Sequence, residues 1–590
     1  MSKWMLLRRG ADFNEIGKKY GIDPLIARIM VNRGICSDEE IDRFLNGDRA
    51  YFHDPRLLKD LEKAANILFK KIEEGKKIRV IGDYDGDGVC STTILLKGLR
   101  FLGADVDGII PHRIKDGYGL NDRLIDNASN DGIDTIVTCD NGISAYKEVK
   151  KAKELGMTVI ITDHHEVPKD EDGKPVIPPA DSVTDPKQED CKYPYKNICG
   201  AFVAYKLIIY MLNQVKNDTK YIKEDIESLN EELMAFAAFA TITDIMELMD
   251  ENRCLVKEGL KLIKNTKSTG LTALLEVVGL YGQDITTYHL GFVLGPCVNA
   301  AGRIGSADKA LNLFMTEDRN EALTLAGDLK AMNDSRKSLT EKATDDAKRI
   351  IEETDIKDDN VLVIYLEDCH ESVAGIVAGR IKEEYFKPTL VITDSEGVLK
   401  GSARSIPSYD MFQELSEISD VFIKFGGHPQ AAGFSLEKDK LEELRRRLNE
   451  NCCLTEDELI SRLSIDADAP FSYCTDRFVE GLSVLEPCGN GNPSPVFARK
   501  NLKLKAAKIF GSGKVGKYTV EDTDGNTAEL TLFRRNEELR SMLEAKYGKD
   551  KVDNLYKGGA SGITISAAYY PNFNEYNGRR TVQFIVNDFC

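Results

Sequence analysis

The sequence predicts an α/β fold: a parallel-sheet domain, a second α/β domain joined to it by a long helix, and a C-terminal β-barrel. Three observations support this prediction. Apolar runs that end in acids or histidines alternate with helical segments in the first half of the chain. A stretch rich in Glu, Lys and Ala follows. The last part contains short strand-like segments separated by glycines and polar turns.

The first half divides into two segments. Residues 1–75 have the apolar spacing of a helical leader, and residues 76–317 alternate strands with helices. Four apolar runs in the second segment are interpreted as parallel strands: KKIRVIGDYD, DVDGIIP, IDTIVTCDNG and MTVIITDHH. Polar groups at the carboxyl ends of such strands meet at one edge of the sheet, where open α/β folds bind their ligands.

The second half is organised differently. Residues 318–355 predict one long connecting helix, and residues 356–455 predict a second α/β unit that starts at NVLVIYLED. Residues 465–590 contain five strand-like segments that predict a small barrel: LKLKAAKIF, KYTVEDT, AELTLF, ITISAAYY and TVQFIVNDF. A chain of 590 residues is also long enough for three or four domains.

Composition narrows the classes of function. The net charge is −18, so binding to a polyanion requires arginines concentrated in one groove. Thirteen cysteines include no CxxC pair, which disfavours a zinc ribbon and indicates reduced thiols. The longest apolar run, LMAFAAFATITDI, is too short to span a bilayer, and the first residues do not form a secretion signal. We expect a cytoplasmic protein without membrane contacts.

The strongest local signal is the segment DYDGDG, which places Asp83, Asp85 and Asp87 on a turn between a strand and a helix. Three carboxylates this close together repel each other unless a cation lies among them. A calcium-binding EF-hand loop is the alternative, because its acids share this spacing. That loop needs a preceding helix and a glutamate at its twelfth position, which here is Ile94, so the EF-hand is disfavoured.

Three further segments supply candidate ligands. Asp140 follows a strand in CDNG, Asp163-His164-His165 follows another strand in TDHH, and Asp244 lies inside the apolar helix ATITDI. Mixed Asp and His ligation suits manganese and, less selectively, magnesium or zinc. Two such ions about 3.5–4 Å apart activate water and bind both oxygens of a phosphoryl transfer. The sequence therefore indicates a site for divalent cations, and a pair of ions in such a site suits phosphoryl transfer.

The set DYDGDG, CDNG, TDHH and ATITD resembles the four motifs of DHH-family phosphoesterases. Nearly the whole chain resembles the RecJ family within that group, in PHRIKDGYGL, NAAGR, GSARS, GGHPQAAGFS, LEPCGNGNPSPVF and NEYNG. The resemblance implies a DHH domain, a DHH-associated domain and a C-terminal OB-fold. It also implies two divalent metal ions, with manganese as the first candidate and magnesium as the second.

The resemblance implies roles for individual residues. Those implied as metal ligands are Asp83, Asp85, Asp87, Asp140, His164 and Asp244. Those implied in catalysis are His165 at the scissile phosphate, Asp163 orienting a histidine, and Asp83. Those implied in nucleic-acid binding are Arg113, Tyr118, Arg303, Ser402, Arg404, Gly427 and His428. Small neighbours predict loops around Arg303, Ser402 and Arg404. They also predict a tight turn at Gly426 and Gly427 that contains His428.

The implied activity is a 5′→3′ exonuclease that acts on single-stranded DNA and releases 5′-mononucleotides by in-line attack of water, in DNA repair and recombination. Single-stranded DNA is the implied partner, and a helicase or a single-strand-binding protein stays open as a further one. Two alternatives remain: a small-substrate DHH phosphodiesterase of the nanoRNase or cyclic-dinucleotide type, and a non-catalytic DHH scaffold. The C-terminal barrel disfavours the first, and the complete set of acids disfavours the second.

Overall fold

The computed structural model describes residues 2–113, 117, 119–395, 397–511, 513–559, 562–576 and 578–590. The chain divides into two compact units. The larger unit contains residues 46–454 and 489–491, and the smaller unit contains residues 1–45, 455–488 and 492–590. Among the described residues, no helix is both long and apolar enough to cross a membrane.

A five-stranded parallel sheet forms the first half of the larger unit. Its strands lie in the spatial order Asp105–Ile109, Lys77–Ile81, Thr135–Cys139, Thr158–Thr162 and Ser182–Thr184. The three central strands are almost entirely buried, as expected when helices cover both faces of a sheet. Parallel pairing brings their carboxyl ends to the same edge, so the residues that follow them lie close together.

Helices pack around this sheet and complete its core. Gly86–Phe101 packs against Gly200–Val215, and a Cβ on Gly98 would lie only 2.4 Å from Ile208 Cγ2. A residue larger than glycine would therefore push the two helices apart. The helices of this half are Leu61–Glu73, Gly86–Phe101, Asp122–Asn130, Tyr146–Glu154, Gly200–Val215, Lys223–Thr243, Asp250–Lys264, Thr269–Val277, Thr287–His289, Gly295–Ile304 and Asp308–Met315, with a π-helical segment at Leu290–Leu294.

A second sheet follows one long helix, Arg319–Glu353, of 35 residues. Its strands lie in the order Lys424–His428, Ala431–Leu436, Val398–Arg404, Thr389–Ser395 and Leu362–Tyr365. The last two strands are parallel, and the other neighbours are antiparallel. The helices that accompany this sheet are Glu371–Tyr385, Met411–Glu417 and Leu441–Asn451.

Some predictions of local structure in the larger unit are wrong. Ser402 and Arg404 lie on the strand Val398–Arg404, and Arg303 lies on the helix Gly295–Ile304, so none of the three is in a loop. Gly427 and His428 lie on the edge strand of the second sheet, and the chain turns at residues 429 and 430 instead. Small residues permit tight turns, but they also permit close packing of strands and helices, and tertiary contacts decide between the two.

The smaller unit is built on a closed β-barrel. The strand Phe497–Phe510 pairs with Val515–Glu521 on one side and with Thr564–Tyr576 on the other, which closes the sheet on itself. The remaining strands are Thr527–Phe533, Arg579–Phe589 and the short Ala467–Asp468. Three helices belong to this part of the chain, and the sequence analysis predicted none of them: Asp476–Gly481, Asn536–Tyr547 and Lys549–Tyr556.

The leader differs from the prediction of a purely helical segment. It begins with the strand Lys3–Leu6, which pairs in parallel with Arg462–Ile465 near the start of the barrel region. The first 45 residues accordingly belong to the smaller unit. A strand of four residues is too short to show its periodicity, so the sequence does not reveal it. The helices that follow are Phe13–Tyr20, Pro24–Asn32 and Asp38–Asn46.

Candidate metal centre and arginine cluster

The DYDGDG segment forms the turn between the strand Lys77–Ile81 and the helix Gly86–Phe101. Asp85 caps this helix, because its Oδ1 accepts the backbone N–H groups of Asp87 at 3.0 Å and Gly88 at 3.1 Å. The turn is tight at Gly88, where a Cβ would lie 2.4 Å from the carbonyl oxygen of Asp83. Only glycine fits there, and the turn buries the side chains of Asp83 and Asp87.

A second helix end fixes Asp87. The backbone N–H groups of Gly200 and Ala201, at the start of the helix Gly200–Val215, each donate to its carboxylate at 2.7 Å. The partial positive charge of a helix N-terminus stabilises such an anion. Asp87 is therefore held as a buried carboxylate, 1% exposed, between two helix ends.

His164 brings the other acids together. Its Nε2 lies 3.0 Å from Asp140 Oδ1, 3.5 Å from Asp87 Oδ2 and 3.8 Å from Asp244 Oδ2. We predicted that Asp244 lies inside a helix. This prediction is wrong, because Asp244 directly follows the last residue of the helix Lys223–Thr243. Three overlapping groups have ligand atoms within 4.8 Å of one another: Asp140, His164 and His165; Asp87, His164 and Asp244; and Asp83, Asp85 and Asp140.

The buried, clustered carboxylates of these acids repel one another, and bound cations would relieve this repulsion. Burial raises the pKa of Asp83, Asp140 and Asp244 well above the ordinary value, and neighbouring carboxylates raise each pKa further. Asp83 Oδ1 is buried and has no hydrogen-bond partner among the described residues. Carboxylate oxygens combined with imidazole suit Mn²⁺ or Mg²⁺, and the three overlapping groups fit a pair of such ions.

Asp163 orients His165. Asp163 is fully buried, and its carboxylate accepts the backbone N–H groups of Ile143 at 2.9 Å and His164 at 2.8 Å. Its Oδ1 also lies 2.7 Å from Nδ1 of His165. Burial lowers the pKa of His165, but the hydrogen bond to Asp163 and the charges of Asp163, Asp244 and Asp87 outweigh it and raise the pKa to about 9. The imidazole of His165 is thus fixed as a hydrogen-bond donor, and its side chain is 44% exposed.

Four arginines converge near the acids. Burial, together with the charges of Arg113, Arg336 and Arg404, lowers the pKa of Arg303 to about 10. Arg303 Nη1 donates to the carbonyl of Ser372 at 3.1 Å. Within the described part of the chain, no salt bridge joins any of the four to a carboxylate. Like charges gathered without a counterion form a site for an anion such as phosphate.

A cavity of about 260 Å³ adjoins this cluster, and both Arg113 and Ser402 line it. The register of the second sheet places His428 beside Ala431 and Ala431 beside Arg404. His428 and Arg404 therefore lie in one row, two strands apart, which is about 10 Å. Tyr118 lies outside the described residues.

Two polar side chains at the site were missed by the sequence analysis. Asn299 Oδ1 is buried without a hydrogen-bond partner among the described residues, and it would lie 3.2 Å from a Cβ on Gly86 in the acidic turn. Arg336, on the helix Arg319–Glu353, belongs to the arginine cluster. The motif NAAGR, which contains Asn299, could have indicated this residue. The sequence around Arg336 gives no such indication, because it resembles the charged surface of an exposed helix.

Three family models match the chain. They are the DHH family N-terminal domain over residues 77–241, the DHHA1 domain over residues 358–452, and the RecJ OB domain over residues 465–588. The C-terminal barrel is therefore an OB-fold, as the resemblance implied.

Full-length relatives decide the family. The single-stranded-DNA-specific exonuclease RecJ of Bacillus subtilis is 33% identical over 99% of this chain and 70% of its own length. The enzyme of the same name from Escherichia coli is 31% identical over 96% of each chain. This chain belongs to the RecJ family. The resemblance to the RecJ family and the predicted fold class are both confirmed.

Solved RecJ structures have the same fold. A crystal structure of RecJ in complex with Mn²⁺ from Thermus thermophilus covers 100% of this chain and 79% of its own, with a TM-score of 0.80 and 27% identity. A RecJ structure with Mg²⁺ from the same organism gives a TM-score of 0.75 at 26% identity. RecJ proteins have thus been crystallised with both metals that the acids of this chain fit.

Proposed function

We propose that this RecJ-family chain is a metal-dependent 5′→3′ exonuclease specific for single-stranded DNA, which hydrolyses phosphodiester bonds and releases 5′-mononucleotides in DNA repair and recombination. The observation that carries the proposal is that the acid and histidine groups and the arginine cluster lie in one compact unit. Relatives named single-stranded-DNA-specific exonuclease match nearly the whole chain, which supports the same activity here.

Six side chains hold the metal ions in this proposal: Asp83, Asp85, Asp87, Asp140, His164 and Asp244. Manganese is the first candidate, because the site mixes imidazole with carboxylate, and magnesium is the second. Bound divalent cations supply a water of lowered pKa and neutralise charge on the reacting phosphate. The clustered acids supply the local negative charge that makes such ions bind.

His165, Asp163 and Asp83 are the proposed catalytic residues. Asp163 holds the His165 ring in one orientation, so that the ring donates a hydrogen bond to an oxygen of the scissile phosphate. Asp83, whose Oδ1 has no partner among the described residues, accepts the proton of the attacking water.

The arginine cluster determines polarity in this proposal. Arg113, Arg303 and Arg404 bind the phosphate at the 5′ end, and Ser402 donates to it from the adjoining cavity. Gly427 and His428 line the path of the strand. A phosphate held beside the metal groups presents the first phosphodiester to them, so cleavage proceeds from the 5′ end.

Two further proposals concern the setting of the reaction. A single-strand nuclease needs a supply of single strands, so we propose that a helicase or a single-strand-binding protein works with it. All thirteen cysteines are free thiols, which favours a reducing compartment and supports a cytoplasmic location.

The alternatives lead to a simple test. A small-substrate phosphodiesterase does not need an OB-fold, and a scaffold does not need the complete set of metal ligands. We expect Mn²⁺-dependent release of 5′-mononucleotides from a single strand labelled at its 5′ end, and little release from a blunt duplex. Faster cleavage of pApA than of a long strand would favour the small-substrate alternative. The absence of hydrolysis with either metal would favour the scaffold.

A further inference from the structure

An exposed aromatic pair lies on the segment that leads to Arg303. The rings of Tyr288 and Phe292 are stacked, with centroids 5.2 Å apart and planes inclined by 26°. Tyr288 is 62% exposed and Phe292 is 69% exposed, although the neighbouring Leu290 and Leu294 are completely buried. Aromatic side chains stabilise a protein chiefly when they are buried, so this pair contributes little to the core.

The backbone at this position is unusual as well. Leu290–Leu294 is a π-helical segment between the helices Thr287–His289 and Gly295–Ile304. A π-helical turn inserts an extra residue into a helix, and such insertions occur frequently at functional sites. Here the two leucines stay buried while both aromatic rings face solvent.

The segment that carries the aromatic pair contacts the helix end that precedes Asp244 at two glycines, Gly291 and Gly295. The π-helical segment packs against the end of the helix Lys223–Thr243, where a Cβ on Gly291 would lie 3.6 Å from Ile242. A Cβ on Gly295 would lie 2.4 Å from Thr243, the residue before the proposed ligand Asp244. The aromatic pair thus lies within one helical turn of the residues that present Asp244 to the site.

The helix Gly295–Ile304, which follows the π-helical segment, carries two polar residues of the candidate site. Asn299 is beside the acidic turn at Gly86, and Arg303 belongs to the arginine cluster. Arg303 lies eleven positions after Phe292, which is about 16 Å at 1.5 Å per residue. A strand bound along this helix would therefore pass the aromatic pair a few nucleotides away from the phosphate held by Arg303.

We propose that Tyr288 and Phe292 form a stacking platform for bases of the bound single strand, outside the metal centre. The proposal rests on the proposed function and adds a binding subsite to it. Every base has a π-face, so a stacking platform holds a strand without selecting its sequence, as an exonuclease requires. Paired bases in a duplex present their edges rather than free faces, so the platform also favours single strands.

The test measures binding without divalent cations, so that no strand is degraded. Stacking on an aromatic side chain contributes about 1–3 kcal/mol per base, which is about 5- to 140-fold in affinity. We expect Tyr288→Ala/Phe292→Ala to weaken binding of a single strand by a factor in this range. Tyr288→Phe should bind like wild type, because it keeps the ring. The matched control is Leu155→Ala, which removes an exposed apolar side chain (49% exposed) elsewhere in the same unit.

A strand with single abasic positions separates stacking from other contacts. In the wild type, one or two abasic positions should weaken binding, whereas the double variant should be insensitive to the same positions. Equal sensitivity in both proteins, or unchanged binding by the double variant, would overturn the platform. A wild type that neither binds nor degrades single strands would overturn the proposed function instead, so the two failures are distinguishable. Wild-type activity on pApA by the double variant would confirm that the metal centre is intact.

Discussion

Lys206 Nζ lies 2.8 Å from Glu251 Oε2, and both side chains are buried, at 2% and 0% exposure. Three aromatic rings surround the ammonium group, with centroids at 4.6–5.3 Å: Phe52, Tyr193 and Phe202. Lys206 lies on the helix whose first N–H groups bind Asp87. Glu251 is the second residue of the helix Asp250–Lys264, which follows the loop after Asp244. The ion pair therefore joins the supports of two proposed metal ligands.

Removing one member of this pair should destabilise the larger unit. Lys206→Met leaves the charge of Glu251 buried without a counterion, which costs about 3–5 kcal/mol. Lys206→Met/Glu251→Leu removes both charges and should recover most of that loss. Thermal and urea unfolding would measure the effect, with Arg446→Met at the exposed pair with Glu450 as the control. Equal stability of Lys206→Met and the control would show that the pair contributes nothing.

Asp140→Asn should abolish most activity while the fold persists. Asp140 has a φ of 59°, and asparagine tolerates this left-handed conformation as well as aspartate does. The change keeps the shape and removes a charged ligand, so activity should fall by about 100-fold or more. Mn²⁺ should raise the unfolding temperature of the wild type but not of the variant. Glu154→Gln, at an exposed helix end, is the control, and full activity of Asp140→Asn would refute the ligand assignment.

Arg404→Gln should weaken binding of a strand with a 5′-phosphate more than binding of one with a 5′-hydroxyl. Each phosphate contact with a single strand contributes about 0.7 to the slope of log affinity against log salt, so the slope should fall by that amount. Anisotropy titrations at several salt concentrations would measure it. Arg447→Gln, at a residue paired with Asp420, is the control. A loss that is equal for both 5′ ends would place Arg404 elsewhere on the strand path.

A basic patch at one end of the barrel gives a prediction for the OB-fold. The N–H of Arg534 donates to the carbonyl of Lys514 at 2.7 Å, and both side chains are exposed. No salt bridge joins either of them to an acid in the described part of the chain. The register of the strands places Phe510 and Phe533, both about half exposed, on either side of Val515.

Lys514→Gln/Arg534→Gln should therefore weaken binding of long strands and lower the salt slope, by about 0.7 for each lost contact. Cleavage of pApA should be unchanged, because these residues lie outside the larger unit. Lys517→Gln/Glu529→Gln is the matched control, since it removes a 2.5 Å ion pair without changing the net charge. If the control weakens binding as much as the test variant, the patch has no specific role.

Local patterns in the sequence were sufficient to predict that the candidate metal ligands come together. Asp83, Asp140 and Asp163 each follow an apolar strand, and parallel pairing brings such positions together whatever the rest of the fold. The position of Arg336 in the arginine cluster could not be predicted in this way, because only tertiary packing brings the helix Arg319–Glu353 to the other arginines. The environment of Tyr569 could not be predicted either: its side chain is fully buried in the barrel and donates to the carbonyl of Ala469. Which face of a strand is inside depends on how the barrel closes.

The pairing of Lys3–Leu6 with Arg462–Ile465 has a consequence for synthesis on the ribosome. At about 5–20 residues per second, the partner of the first strand emerges on the order of 20–90 s after it. All of the larger unit except residues 489–491 lies between these two strands in the chain, so most of it can fold during that interval. A nascent chain therefore contains most of the unit that carries the metal-binding groups before Lys3–Leu6 can pair, and this strand has no partner until Arg462–Ile465 has been made.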